Sequence, residues 1–341
     1  MSLSIRFRQP IFILLLKLGN EKNQGDIKMK AYLLNEAGGV ENLILSEIEK
    51  PELGADEVLV ETKAVSINPV DVKVRPIEEV LTMIIGDERP VILGWDIAGI
   101  VAEVGSGVTG FEVGDKVFGM VNFPGHGKAY AEYVASPARH LAKMPVKFTF
   151  EEAAATTLAA LTALQVLKPR VKAGDRILIH AGSGGVGHFA IQIAKNIGAV
   201  VVATSSAKNR EFVLSLGADE HIDYREQKFE EVLEDIDFVL DGMGGEVLEN
   251  SLKVIKDGGT IVSLPTHEFS KELKAIAEPR NIKLEFVLVT SSGDDMNTLK
   301  EYLESGALKP HVSMTFPFDQ MAEAHKHIES GRTVGKAVVI L

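Results

Sequence analysis

Two rhythms of apolar and polar positions divide the chain. Between residues 30 and 145 short runs at 58–65, 97–104 and 116–118 alternate with turn residues such as Gly105-Ser106-Gly107 and Val113-Gly114-Asp115. Short alternating runs bounded by glycine predict strands, and several in succession predict an antiparallel, partly closed β-domain. From Glu151 the rhythm lengthens. Continuous apolar runs at 176–181, 200–204, 237–241, 259–264 and 284–288 are separated by helical stretches near 187–197, 208–216, 246–255 and 296–304. A run without alternation is a strand buried on both faces, so this half predicts a doubly wound parallel sheet wrapped by helices. A last helix over 318–330 and a strand over 336–341 follow.

Length supports this division, since 341 residues exceed what one core usually organises. A formal net charge of -12 argues against nucleic acid as a partner, because that binding draws its affinity from Lys and Arg on phosphates. The chain has no cysteine, which excludes disulfides, thiolate catalysis and cysteine-ligated zinc. At the N-terminus an apolar run at 11–16 is flanked by Arg6, Arg8 and Lys17. It is short for a signal sequence and leads into Gly19-Asn20-Glu21-Lys22 rather than a small-residue cleavage site. Residues 1–28 are therefore expected to be a disordered or non-native extension, with the fold starting at Met29. No other uncharged apolar stretch reaches about 18 residues, so neither a membrane span nor a membrane partner is expected, and the expected compartment is cytoplasmic.

The densest chemical signal is the turn at 181–187. Gly182, Gly184 and Gly187 directly follow an apolar strand and open an amphipathic helix that continues Ala190, Ile191, Ile193, Ala194. In that setting Gly182 permits the turn, Gly184 lets backbone approach a pyrophosphate, and Gly187 lets helix and sheet pack closely. Ser183, Gly185 and Val186 complete the loop, whose helix-terminal amides face the phosphates. An NAD site commonly has an Asp or Glu about 20 residues further on; this chain has Ser205-Ser206-Ala207-Lys208-Asn209-Arg210. Ser206 can donate to a 2'-phosphate and Lys208 or Arg210 can neutralise it, which predicts NADPH (NADP+) as the cofactor. The competing reading makes Lys208 and Arg210 ordinary solvated residues at a helix start.

These segments, taken in order, resemble a medium-chain dehydrogenase/reductase of the zinc-independent quinone oxidoreductase branch. The resemblance runs from Lys30 to Leu341 and rests on Ser66-Ile67-Asn68-Pro69-Val70-Asp71-Val72-Lys73, Gly94-Trp95-Asp96-Ile97-Ala98-Gly99, Val113-Gly114-Asp115-Lys116-Val117-Phe118-Gly119, the glycine turn, and Gly335-Lys336-Ala337-Val338. Asn68-Pro69-Val70-Asp71-x-Lys73 is most similar to the alkenal/enone reductase subgroup. The resemblance implies an α/β architecture: a GroES-like, mainly antiparallel β-barrel domain at 29–150, a Rossmann domain at 151–288, and a return to the first domain at 289–341. Zinc alcohol dehydrogenases on this scaffold place a Cys near Asn68 and a His-Glu pair near Trp95-Asp96; these ligands are absent, so no metal is expected.

The same resemblance implies the site. Asn68 would lie near the nicotinamide and substrate carbonyl as the polarising group, with Lys73 a second donor and Asp71 orienting its neighbours; a structural cap is the competing reading of Asp71. Thr157 and Thr162 would sit beside the nicotinamide amide, or pack in the core. Tyr224, ending the third strand of the nucleotide sheet, would lie against the 2'-phosphate, and Leu264 and Pro265 would close the fifth strand at the nicotinamide. Lys336 would reach the cofactor, and Trp95, Phe123 and Phe318 would line a pocket or fill the core. The implied activity is NADPH-dependent reduction of quinones or α,β-unsaturated carbonyls. NADPH binding without catalysis and alcohol dehydrogenation stand as alternatives. A homodimer through the sheet edge near 284–289 is implied as well.

Overall fold

The computed structural model describes residues 28–341; the expected extension at 1–28 lies, apart from Lys28, outside them. β1 (Lys28–Leu34) and β2 (Leu43–Glu49) form an antiparallel hairpin. The first large sheet is centred on β3 (Glu57–Ile67), which pairs antiparallel with β4 (Asp96–Val104). β5 (Lys116–Met120) extends this beyond β4, and β6 (Tyr133–Pro137) pairs with the first half of β3. β7 (Leu141–Lys143) adds to β5.

The second sheet contains β8 (Arg176–Ile179), β9 (Val200–Ser205), β10 (Glu220–Asp223), β11 (Ile236–Asp241), β12 (Ile255–Ser263) and β13 (Lys283–Phe286). Every neighbouring pair is parallel, in the order β10-β9-β8-β11-β12-β13. Strand order reverses between β8 and β11, so the carboxyl ends of those strands flank a crevice where ligands bind in such sheets. The chain then returns: β14 (Val312–Pro317) and β15 (Lys336–Ile340) join the first sheet, β15 lying antiparallel on β3. Residues from opposite ends of the sequence thus share one sheet.

Burial on both faces explains the unbroken apolar runs of the second sheet. Along β11, Phe238 and Leu240 enter the core shared with the first sheet, whereas Val239 packs on the other face against Leu248 and Ile261. Eight of the ten residues of the Leu158–Leu167 helix are apolar because it is buried in the shared core beside the Gly185–Ile197 helix.

Some elements depart from the periodicity. β10 carries one fully buried residue, Ile222, and so shows no apolar run. β12 begins four residues before the predicted 259, and the last helix spans Met321–Glu329 after a single 3-10 turn at Phe318–Gln320. Two short helices, Pro69–Val74 and Glu78–Ile85, interrupt the half that reads as strands. Of the aromatics, Trp95 and Phe123 are buried and stack edge-to-face with centroids 5.0 Å apart, and Phe318 packs on Tyr32. No helix among the described residues is long and apolar enough to cross a membrane.

Candidate active site

After β8 the backbone turns sharply: Ala181 takes φ +51°, and the Gly182 amide donates to Thr204 O at 2.8 Å. A non-glycine residue in the left-handed region is strained and persists only where its surroundings hold it. The four glycines are needed for different reasons. A Cβ on Gly187 would stand 2.2 Å from Ala181 O and 2.8 Å from Gly182 Cα, and one on Gly182 would stand 2.9 Å from Ala203 Cβ. Those two are fixed by packing inside the protein. Cβ atoms on Gly184 and Gly185 would meet nothing nearer than 3.2 and 3.4 Å. Their bareness leaves a shallow cradle over the start of the Gly185–Ile197 helix, where N-cap Gly184 supplies no capping side chain to Gly185, Val186 or Gly187. Open amides at a helix start suit an anion, so the cradle fits a pyrophosphate. Ser183 Oγ accepts from Asn209 Nδ2 at 2.9 Å, tying the turn to the segment after β9.

At the carboxyl ends of β9 and β10, Ser206 is buried while Lys208 and Arg210 are exposed. Tyr224 is exposed, its amide donating to Ser205 O at 3.3 Å and the Arg225 guanidinium lying 5.6 Å from its ring centroid. At the end of β12, Leu264 is half-buried, its amide donating to Asp241 O, and Pro265 is exposed. Thr157 and Thr162 are buried, and their hydroxyls donate to Ala154 O and Leu158 O at 2.8 Å each. Both hydroxyls are therefore engaged by backbone.

On the other side of the crevice lies a cluster of buried charge. Asn68 caps the Pro69–Val74 helix, and its backbone amide donates to Asp71 Oδ2 at 2.6 Å. This capping box turns Asp71 inward and leaves Lys73 exposed on the same helix. Asn68 Nδ2 donates to Asp96 Oδ2 at 2.7 Å, and Lys336 Nζ donates to Asn68 Oδ1 and, at 3.2 Å, to Ile67 O. Asp96 Oδ1 accepts from the Leu158 amide at 2.9 Å, joining the cluster to the helix of the shared core. The stem of Lys336 runs past Gly185, so one residue touches both the turn and the cluster.

Burial dominates the electrostatics. It pushes Asp71 up to about 7, with Asp96 adding to the rise and the Asn68 amide, Lys336 and Tyr130 opposing it. Asp96 is raised by burial against the pull of Lys336 and Asn68, and Lys336 is lowered by burial against the two carboxylates. Behind Asp71 stands a train of partners that runs inward from the exposed Glu329. Glu329 accepts from Arg75 Nη2 at 2.6 Å, Arg75 Nη1 lies 2.8 Å from His325 Nδ1, and His325 Nε2 lies 3.0 Å from the Tyr130 hydroxyl. Guanidinium only donates, so Nδ1 must accept and Nε2 must carry the hydrogen given to Tyr130. Burial and Arg75 hold His325 down to about 3, which keeps it neutral, and burial beside Asp71 pushes Tyr130 well above its usual value.

The structure thus brings Asn68, Asp71 and Lys336 together and sets Lys73 apart. Asp96, Tyr130, His325 and Arg75 were not anticipated. A carboxylate at the start of the apolar run 97–101 marks Asp96, and His325 sits at the apolar positions of its helix with Met321 and Ala324. Among the described residues no group of three or more His, Asp or Glu side chains is arranged to hold a metal ion.

Comparison with known proteins matches residues 54–146 to the alcohol dehydrogenase GroES-like domain and residues 216–339 to a family described as zinc-binding dehydrogenase. The chain is 37% identical over 323 residues to the 2-methylene-furan-3-one reductase of Solanum lycopersicum, covering 92% of this chain and 79% of that protein. The NADPH-dependent alkenal/one oxidoreductase, chloroplastic, of Arabidopsis thaliana is 37% identical with the same coverage. The quinone oxidoreductase of Coxiella burnetii superposes with a TM-score of 0.86 at 34% identity, covering 92% of this chain and all of that one.

Proposed function

On the premise that this chain belongs to the medium-chain dehydrogenase/reductase superfamily, we propose that it is an NADPH-dependent, zinc-free reductase of quinones or α,β-unsaturated carbonyls. One observation carries the reading: the uncapped cradle over Gly184 and Gly185 adjoins the Lys336–Asn68 cluster, so a dinucleotide on the turn would end beside buried donors. The amides of Gly185, Val186 and Gly187 bind the pyrophosphate, and Ser206, Lys208 and Tyr224 take the 2'-phosphate. Leu264 and Pro265, with Thr157 and Thr162, bound the nicotinamide. When bound, NADPH supplies the hydride.

The chain's own task is to hold the acceptor and support the charge that develops on its oxygen. No cysteine is present, and Trp95-Asp96 stands where zinc relatives carry His-Glu. An acceptor that yields an enolate or hydroquinone anion is matched to hydrogen bonding alone. Asn68 is the donor to that oxygen, Asp71 orients it, and Lys73, exposed on the same helix, reaches the acceptor from the rim. NADPH oxidation against a panel of quinones, alkenals and cyclic enones, with and without a chelator, tests the reading. Turnover of at least one acceptor, insensitive to chelator, is expected; binding without turnover, or activity abolished by chelation, overturns it.

The chain also forms a homodimer through β13, the sheet edge, where Phe286 and nearby Leu288 are exposed. Sedimentation at micromolar concentration giving a monomer sinks this part.

A further inference from the structure

An asparagine amide has two ends of nearly equal size, and its neighbours alone decide which is oxygen. The neighbours of Asn68 differ in kind. Lys336 can only donate and sits on Oδ1; the Asp96 carboxylate accepts and sits 2.7 Å from Nδ2. All three side chains are at most 2% exposed. A flipped amide would face N–H hydrogens to the ammonium and oxygen to the carboxylate, two repulsive pairs away from water. Lys336 is itself steadied by Ile67 O, and Asp96 by the Leu158 amide. The amide is therefore clamped at both ends by charge.

Nδ2 carries two hydrogens. One goes to Asp96; the other has only Ser66 O at 3.5 Å, the outer limit of a hydrogen bond. We propose that Lys336 and Asp96 are positioning residues that orient and polarise Asn68, leaving its second Nδ2 hydrogen as the donor for the acceptor's carbonyl oxygen. This rests on the reductase reading above. An ammonium on Oδ1 draws electron density from the amide and makes its N–H groups stronger donors, and charge-assisted bonds resist reorientation. A donor fixed before the reaction spends nothing on reorganisation as charge grows on the carbonyl oxygen. Lys336 thus acts on the acceptor through Asn68, separately from any contact with the dinucleotide.

A double-mutant cycle separates the two roles. Lys336→Met should lower kcat by ~10- to 100-fold, the loss of one charged hydrogen bond, with KM for NADPH within about twofold of wild type. In an Asn68→Ala background the same change should cost less than about twofold, because the group it acts through is gone. An equal loss in both backgrounds, or a loss confined to KM for NADPH, overturns the proposal. Lys336→Arg, which keeps a donor cation, should recover part of kcat.

A second measurement needs no turnover. In the unliganded protein with 15N-labelled asparagine, the Asn68 side-chain amide should show two widely separated, slowly exchanging protons that converge in Lys336→Met and in Asp96→Asn. Unchanged resonances in both variants overturn the clamp. Should Lys336→Met not fold, Asp96→Asn carries the same contrast. Wild type without turnover on any acceptor overturns the reductase reading and the role of the second hydrogen, while the amide spectrum still decides the orientation.

Discussion

The glycine turn and the Asn68 cluster face each other across Lys336, yet they are made from different material. The turn uses backbone from seven consecutive residues, and its specificity comes from side chains it lacks. The cluster uses side chains from Asn68 and Asp71, Asp96, Tyr130, His325 and Lys336, drawn from separate stretches of the chain, and Lys336 joins them only when the two ends of the chain share a sheet. A backbone site tolerates little added volume and selects an anion without any charged side chain; a side-chain cluster tolerates shape but depends on every partner being present.

The sharpest way to break this contrast is volume. Gly187→Val should destabilise by at least ~3 kcal/mol, since its Cβ would lie 2.2 Å from Ala181 O. Gly184→Ala, whose Cβ would stand 3.2 Å from Ala181 O and needs a shift of only a few tenths of an ångström, should cost far less stability in urea while weakening NADPH ~10-fold, the value of one lost hydrogen bond. If both glycines behave alike, the division between packing and ligand glycines is wrong.

Acid probes both regions at once. His180 and His188 under the turn are held down to about 4 and about 3, and His325 behind the cluster to about 3, chiefly by burial. Their folded values lie below the unfolded one, so their stabilisation is present above pH ~6.5 and is lost as pH falls toward 4. Asp71 works the other way: raised to about 7, it keeps its proton when folded and gives back part of that loss over the same range. His140 is held down to about 4 as well, so four protons taken up on unfolding less one held when folded predict a decline of up to ~4 kcal/mol per pH unit between pH 6 and 4.5. Asp96, raised in the same sense as Asp71, trims this slope. Urea midpoints that stay level from pH 7.5 to 4.5 would refute it.

Smaller still, Tyr130→Phe removes the acceptor of His325 Nε2–H in a dry setting and should cost ~1–3 kcal/mol without changing NADPH affinity. A change below ~0.5 kcal/mol would mean that the train behind Asp71 adds nothing to stability. Lys208→Ala, at the exposed rim, should leave the melting temperature unchanged and weaken NADPH ~10-fold with NADH untouched. Equal weakening of both cofactors would place Lys208 outside the 2'-phosphate pocket.

How far each region was legible follows from the same contrast. The turn, the five apolar parallel strands and the helix after the turn are local patterns, and Gly182 to Gly187 lie where that pattern puts them. The apolar pattern omits β10 because an edge strand need bury only one residue, and the resemblance alone implied a strand ahead of Tyr224. The short helix at Pro69–Val74 escaped because a capping box, rather than apolar spacing, starts it. Asn68, Asp71 and Lys336 were found by resemblance; the Asn68–Asp71 contact is local to one helix cap, but that of Lys336 with Asn68 depends on the pairing of β15 with β3, which no local signal encodes. Tyr130 and His325 carry no signal of their own in the sequence; their polar atoms gain meaning only beside Arg75 and Asp71.

The placement of β15 between β3 and β14 sets an order of assembly during synthesis. Domains fold largely as the ribosome delivers them, N-terminal parts first. β3, β4 and the whole nucleotide sheet precede β15 in the chain, so the cradle can form on the ribosome while Asn68 and Asp96 still lack their ammonium. A nascent chain at that stage lacks the Lys336 cation beside Asp71 and Asp96, and β3 presents an open edge where β15 will lie. Arrival of β15 supplies the first and closes the second in one event, so the site is finished by the strand that finishes the sheet.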